Sequence, residues 1–153
     1  TKNYIVVVQD PVQMVISKII LGYGVDDFIL HDKDAETIIY VLPRKFQGTD
    51  ESETDKQFAK HKSFVYYAPT GSCYHHCNAY EDEKTGDILL DSCVYDERPP
   101  LNLKDTSFKS NVGGKYLGKM SRYRIPNPSI IDWSKKMKDP KEFPRATLAV
   151  HAA

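Results

Sequence analysis

What most constrains this chain is that its apolar residues come in short β-branched and aromatic runs, each cut off within a few positions by Pro, Gly, Asn or Asp. Runs of that length fit strands bounded by turns better than helices. Tyr4–Val8 stops at Asp10-Pro11. "DFILH" (27–31) and "TIIYVLPR" (37–44) are joined by the turn-like "DKDAE", and "SFVYYAP" follows at 63–69. "YHHCNAYEDE" (74–83) and "DILLDSCVYD" (87–96) flank Lys84-Thr85-Gly86, which is a hairpin signal. "KYLGKMSRYRIP" (115–126) and "RATLAVHA" (145–152) read as two further strands, with a short turn or helix in "PSIIDWSKKMKDP" (128–140) between them. About eight strands spaced in this way predict a mainly β fold, an antiparallel meander of the kind found in sandwiches and propellers. Periodicity does not choose between those two.

The segment "PVQMVISKIILGYG" (11–24) predicts the one short helix. Pro11 suits a first helical position, Val12, Val15, Ile16, Ile19 and Ile20 recur at helical spacing, and Gly22 and Gly24 suit the end. Its apolar part is about ten residues, roughly half of a bilayer span. The plainer reading is a core helix; the sharper one is a short apolar segment that dips into a membrane surface. The polar stretches 47–57 and 98–114 read as a solvated loop and a long irregular connection.

Charge and cysteine content exclude several classes. Lys plus Arg and Asp plus Glu both number 21, and no basic stripe with interleaved aromatics is present, so the sequence carries no nucleic-acid footprint. The three cysteines, Cys73, Cys77 and Cys93, are an odd number. They argue against a disulfide framework and for a reducing, intracellular compartment. Cys73 and Cys77 lack the second pair of ligands that a structural zinc site needs. Thr1 leads straight into strand-like residues with no signal-peptide pattern, and the chain is expected to be a segment of a longer polypeptide.

The chemistry concentrates at His75-His76. Neighbouring side chains of a strand point to opposite faces, so the two imidazoles cannot easily hold one ion together. Strict alternation would put His75, Cys77 and Ala79 on one face and His76, Asn78 and Tyr80 on the other. No HExxH, GxSxG or Gly-rich phosphate loop is present. On the residues alone, His75 is either a metal ligand or a hydrogen-bonded structural histidine.

Three stretches resemble the carotenoid cleavage oxygenase family, which includes the retinoid isomerohydrolase. "TKNYIVVVQDPVQM" (1–14) is similar to the family's T-x-NYIV segment, "YHHCNAYEDE" (74–83) to its FHHxNAYE segment and "KEFPRATL" (141–148) to its EFPR segment. Ala146-Thr147 depart from the family's usual continuation after that last segment. The resemblance implies a seven-bladed β-propeller, of which this chain would hold about two to three blades. It implies a non-haem Fe(II) held by four histidines, with glutamates hydrogen-bonding several of them. It implies O2 and a carotenoid or apocarotenoid as the reactants of double-bond cleavage. Carried over by motif, His75 is a metal ligand, His76 packs on the opposite face, and Glu142 is a glutamate that supports a ligand imidazole. The family's preceding ligand would fall just before Thr1 and its last one beyond Ala153. One ligand of four is therefore expected here, and an isolated polypeptide of these residues is expected to be inactive.

The resemblance also turns the apolar segment toward a peripheral membrane and tunnel-mouth role, with Ile16, Ile19, Ile20 and Leu21 as its residues. A cytoplasmic or plastid location follows as the expectation. Two alternatives share the motifs: a non-oxidative isomerohydrolase-type relative, and a metal-free propeller that serves as a binding module.

Overall fold

In the computed structural model of the chain, residues 1–44, 63–96 and 117–150 are described. The expected loops at 47–57 and 98–114 lie outside these residues.

Nine strands run through the described residues. The first sheet has the order β1-β4-β5, from Tyr4–Gln9, Thr37–Pro43 and Phe64–Ala68. All of its pairings are antiparallel. The second has the order β6-β7-β8-β9, from Ser72–Glu81, Ile88–Tyr95, Lys119–Ile125 and Thr147–Val150, and is an antiparallel meander. After β8 the chain crosses to the first sheet before it returns as β9. There Tyr67 N–H donates to Pro144 O at 3.1 Å and Ala146 N–H to Tyr67 O at 2.8 Å, an isolated parallel bridge along β5. The result is a three-stranded and a four-stranded blade of a propeller, with the second blade's own connection laced onto the first.

Alternation decides which face of each sheet is buried. Thr37, Ile39 and Val41 of β4 and Phe64, Tyr66 and Ala68 of β5 face inward. Ile88, Leu90 and Val94 of β7 and Tyr123 and Ile125 of β8 meet them from the other blade. Burying a side chain of this size contributes about 1.5–3 kcal/mol, so the interface between blades is the core. Trp133 seals it at one side. Its ring lies 4.9 Å from Phe64 and 5.5 Å from Tyr66, and its Nε1 donates to Pro128 O at 2.7 Å. The hairpin turn expected at Lys84-Thr85-Gly86 is present, with Gly86 at φ +72°.

The segment 11–24 differs from the expected single helix. Val12–Met14 forms a strand, β2, paired with Ile29–His31, β3. Helix α1 covers only Ile16–Ile20, and a second helix, α2, covers Val25–Phe28 where the sequence suggested strand. Pairing of β2 with β3 claims the first turn of the expected helix. The core-helix reading fails too, because no residue of either helix is buried.

Candidate metal centre

Strand β6 carries the histidine pair on an edge of the second sheet. It has ten residues against the eight of β7, and the ladder absorbs the excess as two irregularities that leave Tyr74 and Cys77 unpaired. Between them His75 stands opposite Cys93 and His76 opposite Ser92. The two histidines therefore face opposite ways, as alternation requires. The second bulge resets the alternation: Asn78 stands opposite Asp91 and Ala79 opposite Leu90. Ala79 thus shares the core-directed face with His76, and Asn78 and Tyr80 share the outer face with His75. This corrects the expected grouping of His75 with Ala79. A bulge adds one residue and so inverts every face after it.

The two imidazoles sit in different surroundings. His76 Nδ1 lies 2.8 Å from the hydroxyl of Ser92, which is fully buried, and 3.7 Å from Cys73 Sγ. Both histidines are exposed, so His76 does not pack as expected; what separates them is that the ring of His75 has no hydrogen-bond partner among the described residues. Its side of the sheet holds a charged pair, with Arg122 Nε and Nη2 donating to Asp91 at 2.7 and 2.9 Å. The same guanidinium stands over the Tyr80 ring at 5.5 Å. Its hydrogen bonds to Asp91 hold the guanidinium's pKa above the usual arginine value. Asp91 is thereby engaged and is not competing for a cation.

Strand β6 is tied at both ends to the residues that flank β1, Asn3 and Asp10. Asn3 donates its N–H to Glu81 Oε1 at 2.7 Å and its side-chain Nδ2 to Oε2 at 2.5 Å. At the other end Cys73 N–H donates to Asp10 Oδ2 at 2.7 Å. Asp10 lies between the blades, where burial pushes its carboxyl above the usual aspartate range. The Cys73 N–H, His76, His31 and the Ser72 hydroxyl pull it back. Nearby, burial first and then the charges of Asp10 and Cys73 push the Tyr123 phenol up to about 12. The ring nitrogens of His31 and the hydroxyls of Thr37, Thr70 and Tyr123 are shut away from solvent without a hydrogen-bond partner among the described residues. In the sequence Asp10 marks only the stop of a strand. Its role depends on a residue 63 positions away, and nothing local signals it.

Among the described residues no three His, Cys, Asp or Glu side chains come together to hold a metal. His75 fits as a single donor: a free, accessible imidazole on an ordered strand. Glu142 ends a one-turn 3-10 helix, Pro140–Glu142, is exposed, and accepts Lys138 N–H on Oε2 at 3.0 Å. Ile16, Ile19, Ile20 and Leu21 lie together on the β2–β3 excursion, away from the histidines in sequence and all exposed, Ile20 at 79% and Leu21 at 72%. No helix among the described residues is long and apolar enough to cross a membrane.

Solved structures share this fold. Cobalt-substituted Synechocystis ACO has a similar structure, with a TM-score of 0.58 at 23% identity over 82% of this chain and 23% of that one. A point mutant of Synechocystis apocarotenoid oxygenase gives 0.63 at 20% identity over 98% of this chain and 25% of that one. The chain spans about a quarter of the length of these structures. Identities this low speak for the shared fold. No curated protein matches. The family model described as retinal pigment epithelial membrane protein matches residues 1–151, nearly the whole chain. On that match, and with the motifs and the blades in agreement, the chain belongs to the retinal pigment epithelial membrane protein family, the carotenoid cleavage oxygenases.

Proposed function

We propose that the full-length protein is a non-haem Fe(II) dioxygenase that cleaves a double bond of a carotenoid or apocarotenoid with O2, and that His75 is one of its iron ligands. The observation that carries this reading is the asymmetry of the exposed histidine pair: His76 is engaged by Ser92 at 2.8 Å, while the His75 ring has no hydrogen-bond partner among the described residues. Family membership and the likeness to an apocarotenoid oxygenase support it. The cobalt-substituted neighbour supports a divalent first-row metal, for which a neutral imidazole is a suitable donor.

Bound iron would supply the open coordination positions at which O2 is activated. The residues of this chain do the rest of the work assigned to it. His75 donates one ring nitrogen as a neutral imidazole. His76 stays off the metal because its ring is held on the core-directed face. Glu142 is the proposed carboxylate partner that fixes the tautomer of a ligand histidine, a role ligating imidazoles usually require. Ile16, Ile19, Ile20 and Leu21 form an apolar mouth at a membrane surface, through which a water-insoluble polyene is drawn. The free thiols of Cys73, Cys77 and Cys93 suit an intracellular protein, cytoplasmic or plastid.

Metal analysis and product analysis of the full-length protein test this. One iron per chain is expected, lost in His75→Ala and retained in His76→Ala, with label from isotopic O2 in the carbonyl products of an apocarotenoid. Turnover of a retinyl ester without label would instead support the isomerohydrolase reading. A protein without iron, unchanged by His75→Ala, would support the metal-free binding module.

A further inference from the structure

An antiparallel ladder with surplus residues on one strand can place its bulges at several points, and a bulge that moves past a residue turns that side chain to the other face. With two residues to spare on β6 and two histidines side by side between the bulges, the backbone ladder alone does not decide which imidazole faces outward. The His76–Ser92 contact favours one choice from within the sheet, and ties from outside it hold the two ends of β6.

These ties run to the residues that flank β1. Glu81, held by both nitrogens of Asn3, fixes the far end of β6. Asp10 fixes the near end, two residues before His75, by accepting Cys73 N–H at 2.7 Å. From there the chain of contacts continues to the histidine itself. Cys73 Sγ donates to the carbonyl of His75 at 3.2 Å, spanning Tyr74, the residue left out of the ladder. The first bulge is thus closed on one side by the Asp10 carboxyl and bridged by a thiol.

We propose that Asp10 is a positioning residue for His75: by anchoring Cys73 it sets the bulge at Tyr74 and so selects which of the two adjacent histidines is turned outward. This rests on the reading of His75 as an iron ligand. Asp10 acts through Cys73, whose N–H it accepts.

The test uses the full-length protein loaded with Co(II) and read by metal competition, by the ligand-field absorption of the bound cobalt and by thermal melting. His75→Ala and His76→Ala serve as references. Asp10→Ala is expected to weaken Co(II) binding about 10–100-fold and to alter the absorption bands, whereas Asp10→Asn, which keeps an oxygen acceptor for Cys73 N–H, stays within about threefold and keeps the bands. In the Asp10→Ala background, His76→Ala should reduce Co(II) binding further, because a slipped bulge offers His76 to the metal; in the wild-type background it should not. Asp10→Ala that melts early but keeps the wild-type affinity and bands overturns the proposal while His75 stands as a ligand. Retention of Co(II) by His75→Ala overturns the ligand reading and the proposal with it. Asp10→Ser, whose hydroxyl is too short to reach Cys73 N, carries the same expectations should the alanine variant fail to fold, and a wild-type spectrum from it overturns the proposal equally.

Discussion

At the scale of single residues, the two histidines show how far identity and environment can diverge between neighbours. Their opposite orientation was legible in the sequence, because it needs only the two-residue period of a strand. The reversal after Cys77 was not, because a bulge depends on how many residues the partner strand supplies. Removing His76 deprives the buried Ser92 hydroxyl of its partner at 2.8 Å. His76→Ala should therefore cost about 1–2 kcal/mol in denaturant titrations, without removing the ligand proposed at His75. Asp10 yields a pH prediction. Burial raises its carboxyl above the unfolded value, so the folded protein binds that proton more tightly. Its contribution to stability is fully present below about pH 4, the ordinary aspartate range, and is lost as pH rises through the raised folded value. Asp10→Asn keeps the neutral form throughout. The melting temperature of Asp10→Asn minus that of wild type should grow as pH is raised from about 4 toward neutrality. A difference that stays flat or shrinks over that range would contradict the assignment.

At the scale of elements, strands and hairpin turns were readable from composition because their local chemistry is strong. The turn after β6 shows why. Gly86 has φ +72°, and a Cβ there would lie 2.2 Å from Asn127 Nδ2, whose own bond to Thr85 O closes the loop. Gly86→Ala should destabilise by about 2 kcal/mol through both the backbone and the clash. The segment 11–24 was misread because its apolar spacing is helical while its partner, β3, lies further along the chain. Spacing also cannot say whether an apolar face meets the core or the outside. Neither Ile20 nor Leu21 is buried. Changing both to Asp should leave the melting temperature unaltered but reduce co-sedimentation of the full-length protein with phospholipid vesicles at least about tenfold, if the excursion meets a membrane.

At the scale of the whole molecule, the strand pattern was legible but the blade arrangement was not, since a period of two says nothing about which strand lies beside which. What joins the blades is the lacing of residues 126–146 across β5. Arg145 pairs with Glu36 and stands over Tyr67 at 5.8 Å, and Trp133 packs on Phe64 and Tyr66. Trp133→Ala should cost about 3 kcal/mol, the lower end for truncating a buried aromatic, because the ring is only half-buried. The outer face of β1 leaves Ile5 at 49% and Val7 at 48% exposure. Expressed as these 153 residues alone, the chain should self-associate in sedimentation experiments, and Val7→Lys should reduce this. The β2–β3 excursion has a different consequence. The chain leaves the first blade after Gln9 and comes back at Thr37, on neighbouring strands where Gln9 stands opposite Ile38. Apart from Asp10 and Glu36, which anchor other parts of the fold, what lies between is a cassette whose two ends already lie side by side. Selection could exchange, lengthen or recolour it without disturbing one rung of the blade beneath.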